Sequence, residues 1–133
     1  MLKFILLLNV FFLVCACTQL KSSNDYDEIR LMDEYVEKQR KKLPIKNYEL
    51  TKWVDIYREG NKMIYVYQLD KIDVNASQLN DIKKRYNSIE RKKEFCKMIE
   101  KVINNPIILE TKLLDVDSKI LISVSFKSED CRY

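Results

Sequence analysis

The chain has 133 residues, 24 basic and 20 acidic side chains, a formal charge of +4, a single glycine and no histidine. That balance describes a mixed, solvated surface and not a nucleic-acid-binding one. Without histidine there is no Ser–His triad, no His-ligated metal and no imidazole acid–base chemistry, and one glycine cannot build a phosphate loop; the composition points to a binding protein that is not an enzyme, with no metal, no cofactor and no small-molecule substrate.

Residues 1–17 read MLKFILLLNVFFLVCAC, one basic residue followed by an apolar run from Phe4 to Ala16. The run is too short for the ~20 helical residues that span a bilayer, and a short basic start with small residues at the end marks a secretory leader. Leu13-Val14-Cys15-Ala16-Cys17 resembles a bacterial lipobox, with Val14 at the aliphatic position, Ala16 at the small one and Cys17 as the lipid acceptor. An ordinary cleaved signal is the plainer alternative. Residues 1–16 are expected to be removed, leaving 133 − 16 = 117 residues with a formal charge of +3, because Lys3 is the only charge in the leader. Acyl chains on Cys17 add ~0.8 kcal/mol per buried CH₂ and hold the protein to a membrane. Thr18 stands where an Asp commonly retains lipoproteins of two-membrane bacteria at the inner membrane, so a periplasm-facing outer-membrane site is expected in such a host.

The polar segment 17–25 reads as a tether, and 26–133 as one small domain. From Asp25 to Leu43, Ile29, Met32, Val36, Arg40 and Leu43 keep helical spacing with acids early and lysines late, and Pro44 stops the helix. Residues 47–70 predict a hairpin reversing at Gly60-Asn61. From Asn75, Leu79, Ile82, Tyr86, Ile89, Cys96, Ile99 and Val102 fall at threes and fours, a long amphipathic helix with a break near Asn87–Ser88 and Asn75 or Ser77 as its cap. The segment 107–131 predicts a second hairpin, in which Ile120, Ile122, Val124 and Phe126 alternate with Leu121, Ser123, Ser125 and Lys127. Its turn carries Asp115 and Asp117, read as turn formers because EF-hand spacing is lacking. The order is α-β-β-α-β-β, an α+β fold with a four-stranded antiparallel sheet and helices packed on one face.

Beyond the leader, Cys96 and Cys131 form an even pair in an oxidising compartment, which invites a disulfide; two free thiols are the alternative. The first predicted strand displays Thr51, Trp53, Asp55 and Tyr57 on one face, and the second offers Tyr65 and Tyr67. Trp53, Tyr57, Tyr65 and Tyr67 are the candidate partner-binding residues, since aromatics with polar tips suit interfaces. The competing reading is ordinary cross-strand packing.

The succession of helix, Leu43-Pro44-Ile45-Lys46, Tyr48, hairpin, Cys96-bearing helix, hairpin and Cys131, behind a lipobox at Cys17, resembles the AspS-like α/β class of type II secretion pilotins. The chain departs from that class in its longer, more charged helix before Cys96 and its single glycine. The resemblance implies a structural disulfide, an outer-membrane lipid anchor and, as partner, the C-terminal segment of a secretin subunit. Two readings compete with it: a lipid-anchored inhibitor, immunity or exclusion lipoprotein that binds a hydrolase or toxin, and a structural envelope lipoprotein.

Overall fold

The computed structural model describes residues 23–48, 50–71, 73–100 and 106–131; the lipobox with Cys17, and most of the tether, lie outside them. Helix α1 (Ser23–Arg40) reaches back into the segment read as tether and is followed by β1 (Ile45–Tyr48), β2 (Thr51–Glu59) and β3 (Lys62–Leu69). Helices α2 (Ala76–Tyr86) and α3 (Ile89–Glu100) precede β4 (Ile108–Leu114), β5 (Ile120–Lys127) and a 3₁₀ turn, Ser128–Cys131.

The sheet has five strands in chain order, β1-β2-β3-β4-β5. Two features of the expected architecture are corrected. The extra strand is β1, four residues that follow Pro44 and pair with β2 through Ile45↔Trp53; a segment so short carries no alternation to read. The sheet is also mixed, because β3 and β4 run parallel, Met63↔Leu109 through Gln68↔Leu114. Parallel neighbours need a crossover connection of a dozen or more residues, and α2–α3 supplies it. The helices and both hairpins stand where the periodicity put them.

Local chemistry sets the boundaries. Asn75 accepts from the Gln78 N–H at 2.9 Å while the Gln78 side chain accepts from the Asn75 N–H at 3.0 Å, a reciprocal cap on α2. The Ser88 hydroxyl accepts from the Arg91 N–H and starts α3, which explains the break at Asn87–Ser88. Gly60 has φ +59 at the first loop position between β2 and β3, the II′ arrangement that glycine permits. The Asp115 carboxylate accepts from the Asp117 and Lys119 N–H groups at 2.9 and 2.8 Å, so its role in the β4–β5 turn is main-chain support.

Strand β3 is buried on both faces. On one, Met63, Tyr65, Tyr67 and Leu69 join Met32 and Val36 of α1, Ile82 and Tyr86 of α2, and Phe95 and Ile99 of α3 in a single core. On the other, Ile64 and Val66 are 0% and 8% exposed, although the described helices lie opposite. The side chains that span this face are polar. The Lys112 ammonium on β4 donates to the Tyr57 hydroxyl on β2 (3.2 Å), crossing β3 between them, and Glu110 pairs with Lys62 (2.9 Å) and accepts from Ser123 (3.0 Å). The lysine stems cover apolar surface while their charges reach water.

Cys96 on α3 is bonded to Cys131 beyond β5, with Cα atoms 5.4 Å apart. The disulfide ties the crossover to the end of the last strand. Closing a loop of this length removes about 3–4 kcal/mol of unfolded-state freedom in the chain-entropy treatment. Cys131→Ser is therefore expected to lower the melting temperature by roughly 10–20 °C in a thermal unfolding scan. An unchanged melting temperature would remove the staple from the account.

The hydrogen bond from Lys62, helped by Ser123 and Lys112, holds the Glu110 carboxyl below the ordinary glutamate range against the opposing effect of burial. A carboxyl depressed on folding contributes its stability in full above its unfolded value, and loses it as pH falls through the lower folded one. Urea midpoints should therefore fall below about pH 4, and Glu110→Gln should be less stable than the parent at pH 6 with the gap closing toward pH 3.

Candidate functional site

Two bidentate ion pairs set α1 on β2. The Arg58 guanidinium grips the Asp33 carboxylate at 2.6 and 3.0 Å, and Arg40 grips Asp55 at 3.0 and 3.4 Å, each strand and helix contributing one cation and one anion. The hydrogen bond from Arg58 draws the Asp33 carboxyl below its ordinary range. These pairs are largely exposed, so their effect is more on the placement of α1 than on stability.

Between α1 and α3 the sheet is left partly open. Trp53, Tyr65 and Tyr67 form the floor of this cleft, with Leu109 beside them; Tyr35 stands on the α1 wall, and Phe95 and Met98 on the α3 wall. Its volume is about 280 Å³. The Trp53 ring stacks on Tyr65 at 5.4 Å and Tyr67 at 6.2 Å, and Tyr67 packs against Tyr86 at 5.0 Å. Tyr65 donates to the Tyr35 hydroxyl across the cleft (3.2 Å), close to the Met98 sulfur. Burial first, then the neighbouring Tyr35, pushes the Tyr65 phenol far above its ordinary range, so it stays neutral and a donor at any physiological pH.

Arg91 of α3 closes one end. Its guanidinium lies 5.4 Å from the Tyr67 ring centre and 5.9 Å from that of Tyr86, and donates to the Tyr67 hydroxyl. With Glu94 it also lines a second, charged depression of about 430 Å³, whose other walls are Lys84, Arg85, Ser88 and Glu90. An apolar, aromatic cleft thus runs into a charged one, with Arg91 and Glu94 shared between them. Such a surface suits an amphipathic segment with an apolar anchor.

Of the four aromatics singled out in the sequence, the structure brings Trp53, Tyr65 and Tyr67 together and separates Tyr57. A bulge between Trp53 and Asp55 shifts the pairing, so that Trp53↔Tyr67 is followed by Asp55↔Val66 and Ile56↔Tyr65. One extra residue reverses the alternation beyond it. Trp53 and Ile56 face the helices, and Tyr57 faces away with Lys112; the expectation that Trp53 and Tyr57 share a face is corrected. Tyr65 and Tyr67 are 7% and 3% exposed, so packing accounts for most of their surface and Trp53 is the more accessible part of the floor. Tyr35, Arg91, Phe95 and Met98 were missed. Phe95 adjoins Cys96 and so lies beside the apolar stripe read from the helix, but the sequence gives no sign that the two helices part over Trp53.

The fold and cleft define a class: an α+β domain with a mixed sheet, helices on one face and a disulfide. No protein-family model matches the chain, and no curated protein sequence matches it. Solved structures do share its fold. The pilotin EpsS of the Vibrio vulnificus type 2 secretion system aligns over 85% of this chain and 99% of its own, with a TM-score of 0.61 at 10% identity. The type II secretion system pilotin AspS of Vibrio cholerae gives a TM-score of 0.53 at 9% identity, over 83% of this chain and 97% of its own. A protein of Pseudomonas aeruginosa described as secreted gives 0.59 at 14% identity, over 84% and 98%. The chain therefore has the fold of the pilotins EpsS and AspS.

Arg91→Ala removes a cation from two aromatic faces and a hydrogen bond from a buried phenol, and is expected to cost about 2 kcal/mol. Arg91→Lys keeps the charge but not the planar stacking surface and should recover only part of it. Urea denaturation of the two variants checks both, and full recovery by lysine would assign the effect to charge alone.

Proposed function

We propose that this protein acts as a pilotin-like assembly factor, anchored by lipid on Cys17 and holding a segment of a secretin subunit in the cleft between α1 and α3. The observation that carries the reading is an aromatic, water-accessible cleft on a fold shared with two pilotins. The leader 1–16 is removed and Cys17 takes the acyl chains. Residues 18–22 then separate the anchor from Ser23, a reach of at most about 20 Å at ~3.5 Å per residue. The cleft stays near the outer-membrane surface, and confinement there raises the effective concentration of any partner in the same membrane.

A secretin tail that binds as an amphipathic helix would bury its apolar side chains against Trp53 and Met98, two half-buried members of the cleft. Its polar face would meet Arg91 and Glu94 at the charged end. The binding is of one protein by another; the mechanism involves no chemical step.

Trp53 is the only tryptophan in the chain, so its fluorescence reports on the cleft without a label. Titrating the detergent-solubilised full chain with the C-terminal peptide of the host's own secretin should shift Trp53 emission to saturation. Met98→Ala should weaken that binding about ten-fold, and Cys17→Ser should move the protein from the membrane to the soluble fraction. A flat titration would sink the secretin reading. Stoichiometric copurification of a hydrolase in its place would establish the inhibitor reading.

A further inference from the structure

The strand that closes one side of the sheet has an open edge. β5 pairs with β4 alone among the described residues. The Ser128 N–H donates to the Ile107 carbonyl, and the Ile108 N–H turns the other way to the Asn61 carbonyl. With the pairing Leu109↔Phe126, Thr111↔Val124 and Leu113↔Ile122, this alternation aims the main-chain groups of Ile122, Val124 and Phe126 at β4 and those of Ser123, Ser125 and Lys127 outward. The Lys127 N–H is already taken by the Asp130 carboxylate at 3.2 Å. Ser123 and Ser125 are left with main-chain donors and acceptors facing out.

Proteins usually blunt such an edge with charge, proline or a very short strand. From Ile120 to Phe126 there is no charged residue and no proline. The opposite edge, β1, is only four residues long and carries a register shift between Lys46 and Tyr48. On β5, Ile120 is 59% exposed, and Leu121, Ile122 and Val124 are only half-buried against the core.

We propose that this edge pairs antiparallel with the same edge of a second copy of the chain, about a two-fold axis through Val124. Ser123 of each copy then faces Ser125 of the other, and the two pairs exchange about four main-chain hydrogen bonds. Ile122 meets Phe126 and Val124 meets Val124 on the helix side, covering the half-buried apolar row. Charge on one side and an occupied donor on the other select this register over its neighbours. It brings Lys119 of one copy toward Glu129 of the other. A shift of two residues one way opposes Lys119 to Lys127, and a shift the other way sets Ser123 against Lys127, whose N–H is occupied. The proposal is independent of the secretin reading, because the cleft lies between α1 and α3 and the paired edge is β5.

Full-length protein carrying Val124→Cys is the test, treated with a mild oxidant in a whole-cell lysate and read as a covalent dimer on a non-reducing gel. Directly opposed residues of a non-hydrogen-bonded pair have Cα atoms ~4.5 Å apart, within disulfide reach. Ile122→Cys, whose two copies stand four positions out of register, should give about ten-fold less dimer. Ser125→Pro, added to Val124→Cys, removes an outward donor and no internal one, and should reduce the dimer to the Ile122→Cys level. A monomeric Val124→Cys, equal dimer at 122 and 124, or a covalent product with a different protein would each overturn the proposal; the 122 and 124 comparison decides it even if the proline variant misfolds.

Discussion

Everything in this domain depends on burying β3 from both sides. A central strand that carries Met63, Tyr65, Tyr67 and Leu69 on one face and Ile64 and Val66 on the other cannot leave either face to water. The helix side is covered conventionally, by α1, α2 and α3. The far side is covered by the side chains of its own neighbours, with Lys112 reaching Tyr57 across the strand and Glu110 held among Lys62 and Ser123. One helical layer then suffices, and the cleft exists because that layer is divided. α1 is pinned to β2 by its two arginine–aspartate pairs, while α3 is pinned to the end of β5 by the disulfide. Helices anchored to different strands need not meet over the middle.

The aromatic floor shows how a single irregularity arranges a site. Without the bulge after Trp53, the tryptophan and Tyr57 would lie on one face and the stack on Tyr65 and Tyr67 would be lost. With it, the Trp53 indole N–H donates to the Asp55 carbonyl at 2.9 Å while its ring lies on the two tyrosines. The Asp55 carboxylate accepts from the Ile56 N–H and also receives Arg40. The bulge therefore aims the indole and fixes the end of α1 with the same few atoms.

Much of this was legible in the residues and some was not. Periodicity located α1, both hairpins and the helix broken at Asn87–Ser88, and narrowed its cap to Asn75 or Ser77, of which Asn75 is the cap, since apolar spacing and cap chemistry are local properties. The even cysteine count invited a Cys96–Cys131 bond with two free thiols as the alternative, and the structure holds the bond. β1 was invisible because four residues after a proline have no pattern. The parallel β3–β4 seam was missed because strand direction depends on what the helices cross, a relation between distant segments. The bulge was missed because nothing in Trp53-Val54-Asp55 distinguishes an extra residue from an alternating one, and the error carried directly to the site by grouping Tyr57 with Trp53.

The strand order equals the chain order, and every junction in the sheet except one joins segments adjacent in sequence. The exception, β3 against β4, divides the molecule into two blocks. The first comprises α1 to β3. The second, α2 to β5, is locked upon itself by the disulfide. The seam is held by the parallel pairing from Lys62↔Ile108 to Gln68↔Leu114 and by the core that both blocks share. The cleft straddles that seam: Tyr35, Trp53, Tyr65 and Tyr67 belong to the first block, and Arg91, Phe95, Met98 and Leu109 to the second. Any segment that settles there touches both blocks and adds contacts across the one junction that sequence proximity does not supply.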